Sequence, residues 1–159
     1  MKCTLRQESM KRTSLLTSLC VSLLVALGAC GDDPTFQLIF AIDASFQGPH
    51  GGKTPAHAIM VAVVRTSDGV VVAQETGSVS ATADPAFSFT SLGLLEEGEA
   101  YQVHYWIDSN FGGGTVGTCD PKANDHQWRV DIPAVAGDVT ITEAHNAANT
   151  VDVCTTFTS

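Results

Sequence analysis

Positive charge is scarce in this 159-residue sequence, in which 8 Lys and Arg stand against 17 Asp and Glu. Lys2, Arg6, Lys11 and Arg12 lie near the start, so Lys53, Arg65, Lys122 and Arg129 are all that follow Cys30. Against the sixteen Asp and Glu of the same stretch these four leave a formal charge of −12. Nucleic-acid binding needs Lys and Arg clustered on one face to displace counterions, so that class is excluded. An anionic lipid surface repels such a chain for the same reason. Long apolar runs are also missing: Leu15 to Leu27 is about a dozen residues, short of the roughly 20 that a helix needs to cross a bilayer. No G-x-S-x-G, H-E-x-x-H, H-x-H or C-x-x-C occurs, so a nucleophile elbow and the common zinc spacings do not apply. No internal repeat or low-complexity segment interrupts the chain.

What is present begins with an address. Basic residues, a short apolar run and then small residues form the layout of a secretory signal peptide, with Leu27-Gly28-Ala29-Cys30 at its end. Those four residues resemble the lipobox of bacterial lipoproteins. The resemblance implies removal of residues 1–29 and attachment of a diacylglyceryl group, with palmitate among the acyl chains, to Cys30. Two or more chains anchor stably, because each buried methylene adds about 0.8 kcal/mol. In that class an Asp directly after the cysteine signals inner-membrane retention. Gly31 stands there instead, which implies a cell-envelope protein delivered to the outer membrane. Residues 30–35 are then the lipidated cysteine and a tether, and at ~3.4 Å per residue the tether reaches less than about 20 Å. The expected partners are the membrane, through lipid, and an envelope protein or small ligand.

Cys3 and Cys20 leave with the signal peptide and Cys30 takes the lipid, so Cys119 and Cys154 remain. In an oxidising compartment they are expected to form one disulfide, which closes a loop of about 35 residues and contributes about 3–4 kcal/mol in the chain-entropy account.

Residues 36–159 are long enough for one domain, and their patterning has period two. TFQLIFAID puts Phe36, Leu38, Phe40 and Ile42 on one face. AFSF does the same for Phe87 and Phe89, AYQVHYWI for Tyr101, Val103, Tyr105 and Ile107, and WRVDI for Trp128, Val130 and Ile132. HAIMVAVV and GVVVAQ are continuously apolar, as strands covered on both faces are, while DVTIT and TVDVCTTF carry β-branched residues. About eight strands with short turns between them predict an all-β Greek-key sandwich. Asp68-Gly69 predicts a hairpin turn. LLEEGEAY, with Leu95, Gly98 and Tyr101, resembles the tyrosine corner of such sandwiches, with Glu97 in place of the usual proline. The resemblance implies an immunoglobulin-like, fibronectin-like or transthyretin-like fold, and a Tyr101 hydroxyl bonded to backbone a few residues upstream.

Candidate chemistry concentrates in WIDSNFGGGTVGTCDPKANDHQW, Trp106 to Trp128. Asp108, Asn110 and the glycines at 112–114 resemble the start of a D-x-N-x-D-G calcium loop, which Asp120 or Asp125 would close. Ca²⁺ takes six to eight oxygens from such glycine-turned segments. Gly112 stands where a third side-chain oxygen belongs, and Cys119 where the closing Glu belongs. A connection that uses Asp, Asn and Gly only to turn explains the same residues. The histidines are the second candidate set, with His50, His126 and His145 as ligands for Zn²⁺ or Cu²⁺. Trp106, opposite in parity to Tyr105, is expected on an exposed surface. The expected function is a non-enzymatic binding or structural module with no certain cofactor and calcium as the candidate. A metal-dependent protein using the 108–125 loop or the histidines is the alternative.

Overall fold

The alternating residues become seven strands in the computed structural model, which describes residues 33–47 and 57–158. The expected signal peptide (residues 1–29), Cys30 and His50 lie outside the described residues. The strands are β1 (Thr35–Ile42), β2 (Ala58–Arg65), β3 (Val71–Ser78), β4 (Phe87–Glu96), β5 (Tyr101–Ile107), β6 (His126–Ile132) and β7 (Val139–Glu143). They form two sheets, ordered β4-β1-β7 and β3-β2-β5-β6. Every pairing is antiparallel except that of β1 with β7. This is the all-β Greek-key sandwich that the period-two pattern predicts, and the described residues fall in one compact unit.

The inward faces follow the alternation. Leu38, Phe40 and Ile42 of β1 and Tyr101, Val103, Tyr105 and Ile107 of β5 are buried, with Ile59, Val61 and Val63 of β2 and Trp128 and Ile132 of β6. Burying each large side chain contributes about 1.5–3 kcal/mol. β2 is also covered on its other face, where Ala62 and Val64 are buried. Its apolar twin is not. β3 is an edge strand with mostly exposed or half-buried residues, because only β2 flanks it. The eighth expected strand, TVDVCTTF, is absent. Val151 donates to the Gln127 carbonyl at 3.0 Å, but the chain then turns through a single 3₁₀ turn at Cys154–Thr156.

At the corner between β4 and β5 the Glu96 amide donates to the Tyr101 hydroxyl at 3.0 Å, and Gly98 takes φ +79°, a conformation that glycine adopts without steric cost. The corner therefore forms without its proline. This end of the sandwich also holds the β2–β3 turn and the β6–β7 connection, since Arg65 pairs with Tyr101, Tyr101 with Ile132, and Val135 donates to Glu99. Pro34 accepts from Glu97 here, at the start of β1. The opposite end carries the 108–125 loop, the first residue of β6 and the segment after β7, because Ile42 pairs with Glu143 and Ile107 with His126.

Candidate functional site

The long loop begins where β5 ends, and its polar residues are consumed by its own backbone. Asp108 accepts from Asn110 Nδ2 through one oxygen and from the Gly117 amide, at 2.6 Å, through the other. Asp125 accepts from the amides of Asn110 (2.9 Å) and Asp120 (3.1 Å), one on each oxygen. Asp120 Oδ2 accepts from the Thr115 amide at 2.5 Å. Asp108, Asn110, Asp120 and Asp125 are thus brought together, in a network of carboxylate-to-amide bonds. Asp125 is fully buried, and burial raises its carboxyl above the usual range against the lowering effect of the two amides. Asn110 Oδ1 is buried without a hydrogen-bond partner among the described residues. A side chain at Gly114 would collide with Asp120 Oδ2 and Asn110 Oδ1, so glycine is required for this closure. Among the described residues no three His, Cys, Asp or Glu side chains gather as a metal site.

Cys119 and Cys154 are joined, with Cα atoms 5.4 Å apart and a sequence separation of 35. The bridge ties the loop to the C-terminal segment. Gln127, which gave no signal in the sequence, reinforces that tie from a fully buried position. Its Nε2 donates to the Asp120 carbonyl at 2.6 Å and its Oε1 accepts from the Val153 amide at 2.8 Å. Beyond the bridge the segment folds over the outer face of β5, where the Thr156 hydroxyl meets His104 Nδ1 at 2.7 Å and Phe157 packs on Trp106. Trp106 is therefore only 3% exposed, which corrects the expectation of a surface tryptophan. A shallow cavity of about 380 Å³ lies beside the bridge, lined by Cys119, Pro121, Asp152, Cys154 and Thr155.

The histidines divide into two groups. His104 belongs to the outer face just described. His126 and His145 meet at the end of the sandwich, with ring centres 5.9 Å apart; their predicted companion His50 is outside the described residues. His126 lies between Phe111 (4.3 Å) and Trp128 (5.1 Å, nearly parallel). Trp128 in turn stacks on Tyr105 at 5.4 Å, so an aromatic column runs from Phe111, 55% exposed, into the core. Ser109 Oγ is 3.1 Å from His126 Nδ1, and the His57 Nδ1–H donates to the Asp108 carbonyl at 3.0 Å. Burial, followed by the nearby His145 and His57, pushes His126 down to about 4. Sequence reading missed Ser109 and Phe111 in this cluster, although an aromatic residue between Asn110 and three glycines was a usable signal. No protein-family model and no curated protein matches the chain.

Proposed function

We propose that the protein is a lipid-anchored cell-envelope lipoprotein whose β-sandwich acts as a non-enzymatic binding module, presenting the 108–125 end to its partner. The observation that carries this reading is the run Leu27-Gly28-Ala29-Cys30, which resembles a lipobox and ends three residues before Asp33, where the described chain approaches β1 at the end opposite the loop. Gly31 favours the outer membrane over the inner. The chemistry of the loop end supports binding over catalysis. Ser109 and His126 form a hydroxyl–imidazole pair, but an imidazole held near 4 is a weak base at neutral pH and gives little driving force for removing a serine proton. The loop carboxylates, occupied by amides, stiffen a surface that ends in the exposed Phe111 and Val116.

Metabolic labelling with palmitate tests the anchor. Label is expected in the wild type, in the outer-membrane fraction, and not in Cys30→Ser. Equal labelling of the two proteins overturns the reading.

A further inference from the structure

We propose that the Cys119–Cys154 bridge is an exchangeable disulfide, and that a dithiol reductant opening it releases residues 154–158 from the outer face of β5 as a redox-controlled strap. Thiol–disulfide exchange needs a sulfur that a thiolate can reach. Both cysteines are half-buried, and both line the shallow cavity of about 380 Å³ together with Pro121, Asp152 and Thr155. An incoming thiol has room beside the sulfurs without unfolding the sandwich.

The two sides of the bridge are held unequally. Cys119 sits in a loop braced by its own carboxylates, which take the amides of Asn110, Thr115, Gly117 and Asp120. On the other side Gln127 accepts from the amides of Val151 and Val153. Beyond that hinge the polar contact with the sheet, among the described residues, is the Thr156 hydroxyl on His104 Nδ1, joined by the Phe157 ring on Trp106 at 6.4 Å. Closure serves the groups beneath it poorly. The Trp106 Nε1–H is buried with no acceptor among the described residues, a cost that contact with water removes. Burial also holds the His104 imidazole below its ordinary value. The bridge keeps shut a cover whose own contacts are few.

The exchange balances as a two-electron reduction. A thiolate of the dithiol attacks Cys154 Sγ, the bridge breaks, and Cys119 leaves as a thiolate that takes a proton from water. The second thiol of the reductant, as thiolate, closes on its own partner sulfur. Cys154 is released as a thiolate that also takes a proton, and the reductant departs as an intramolecular disulfide. The mixed disulfide is carried by the strap, the side that can move. Cys154 Sγ lies 3.3 Å from the Asp120 carbonyl, so the thiol finds an acceptor in place, and the braced loop keeps Cys119 positioned for reoxidation. The inference stands independently of the lipid anchor.

The test treats the full chain, purified in detergent without reductant, with dithiothreitol under native conditions. Samples are quenched by alkylation, and label on Cys119 and Cys154 is followed by peptide mass spectrometry beside tryptophan emission and far-UV circular dichroism. Both cysteines should be labelled together, at a rate that changes less than about twofold per molar urea below the unfolding transition. The β-sheet spectrum should persist while the emission moves to the red, and the emission shift should vanish in Trp106→Phe. In the reduced wild type the His104 imidazole, followed by NMR, should titrate closer to 6.5 than in the bridged protein, which decides the matter even where the variant folds poorly. Labelling that rises about fivefold or more per molar urea places exchange in the unfolded chain and overturns the proposal. Reduction that leaves both the emission and the His104 titration unchanged overturns it as well, because the strap then stays closed without its bridge.

Discussion

Tyr101 and Gln127 show what single residues reveal before folding. Tyr101 was legible because its partner, the Glu96 amide, is five residues away within one local motif. Gln127 was not, since it sits between strand residues and its partners, Asp120 and Val153, come from two separate segments. His126 carries the clearest consequence at this scale. Its folded value of about 4 lies below the 6.5 of an exposed imidazole. Between those values the unfolded chain takes up a proton that the folded protein refuses, so this group's contribution to stability is complete above about 6.5 and is lost as pH falls toward 4. Asp125 and Glu143, raised chiefly by burial, act in the opposite sense, because the folded protein protonates them first. A comparison with His126→Gln separates the two effects. The difference in melting temperature, wild type minus variant, should shrink by several degrees between pH 7 and pH 4.5, and a constant difference would show that His126 is not the group responsible.

At the scale of elements, composition located strands better than it located their surroundings. GVVVAQ and HAIMVAVV look alike, yet β3 lies at an edge and β2 is flanked on both sides. Nothing local distinguishes them. TVDVCTTF has a strand's composition, but its amides go to the backbone and side chain of Gln127 and its cysteine to Cys119, so it becomes a strap across β5 and β6. The strap explains why parity alone misjudged Trp106. It also shields β6, an edge strand that would otherwise offer unpaired backbone to other chains. Breaking the bridge with the paired change Cys119→Ala and Cys154→Ala should cost about 2–4 kcal/mol in urea unfolding. Trp106 emission should shift to the red as Phe157 leaves its indole. A loss of stability without a spectral shift would mean that the strap stays docked through Gln127 alone.

For the whole molecule, the fold class was legible because period-two burial is a property of each strand, whereas the assignment of strands to sheets depends on contacts far apart in sequence. The two ends of the sandwich are chemically different. On a lipid-anchored chain the β2–β3 turn lies at the anchored end and the 108–125 loop about 25 Å away, the length of an eight-residue strand. Fluorophores placed at Val70→Cys and Val116→Cys, both on exposed residues, should report this in vesicles containing brominated lipid, with strong quenching at 70 and little at 116. Equal quenching would lay the domain flat on the bilayer. The parallel pairing of β1 with β7 bears on the order of folding. The first strand synthesised is completed by the last: Gln37 donates to Asp138, 101 residues later, and Leu38 pairs with Val139. Closing so long a loop comes late, and β-rich topologies dominated by distant pairings fold in milliseconds to seconds rather than microseconds. Until then Leu38, Phe40 and Ile42 belong to an unfinished sheet, so ending the chain before Val139 would turn the central strand of that sheet into an open edge.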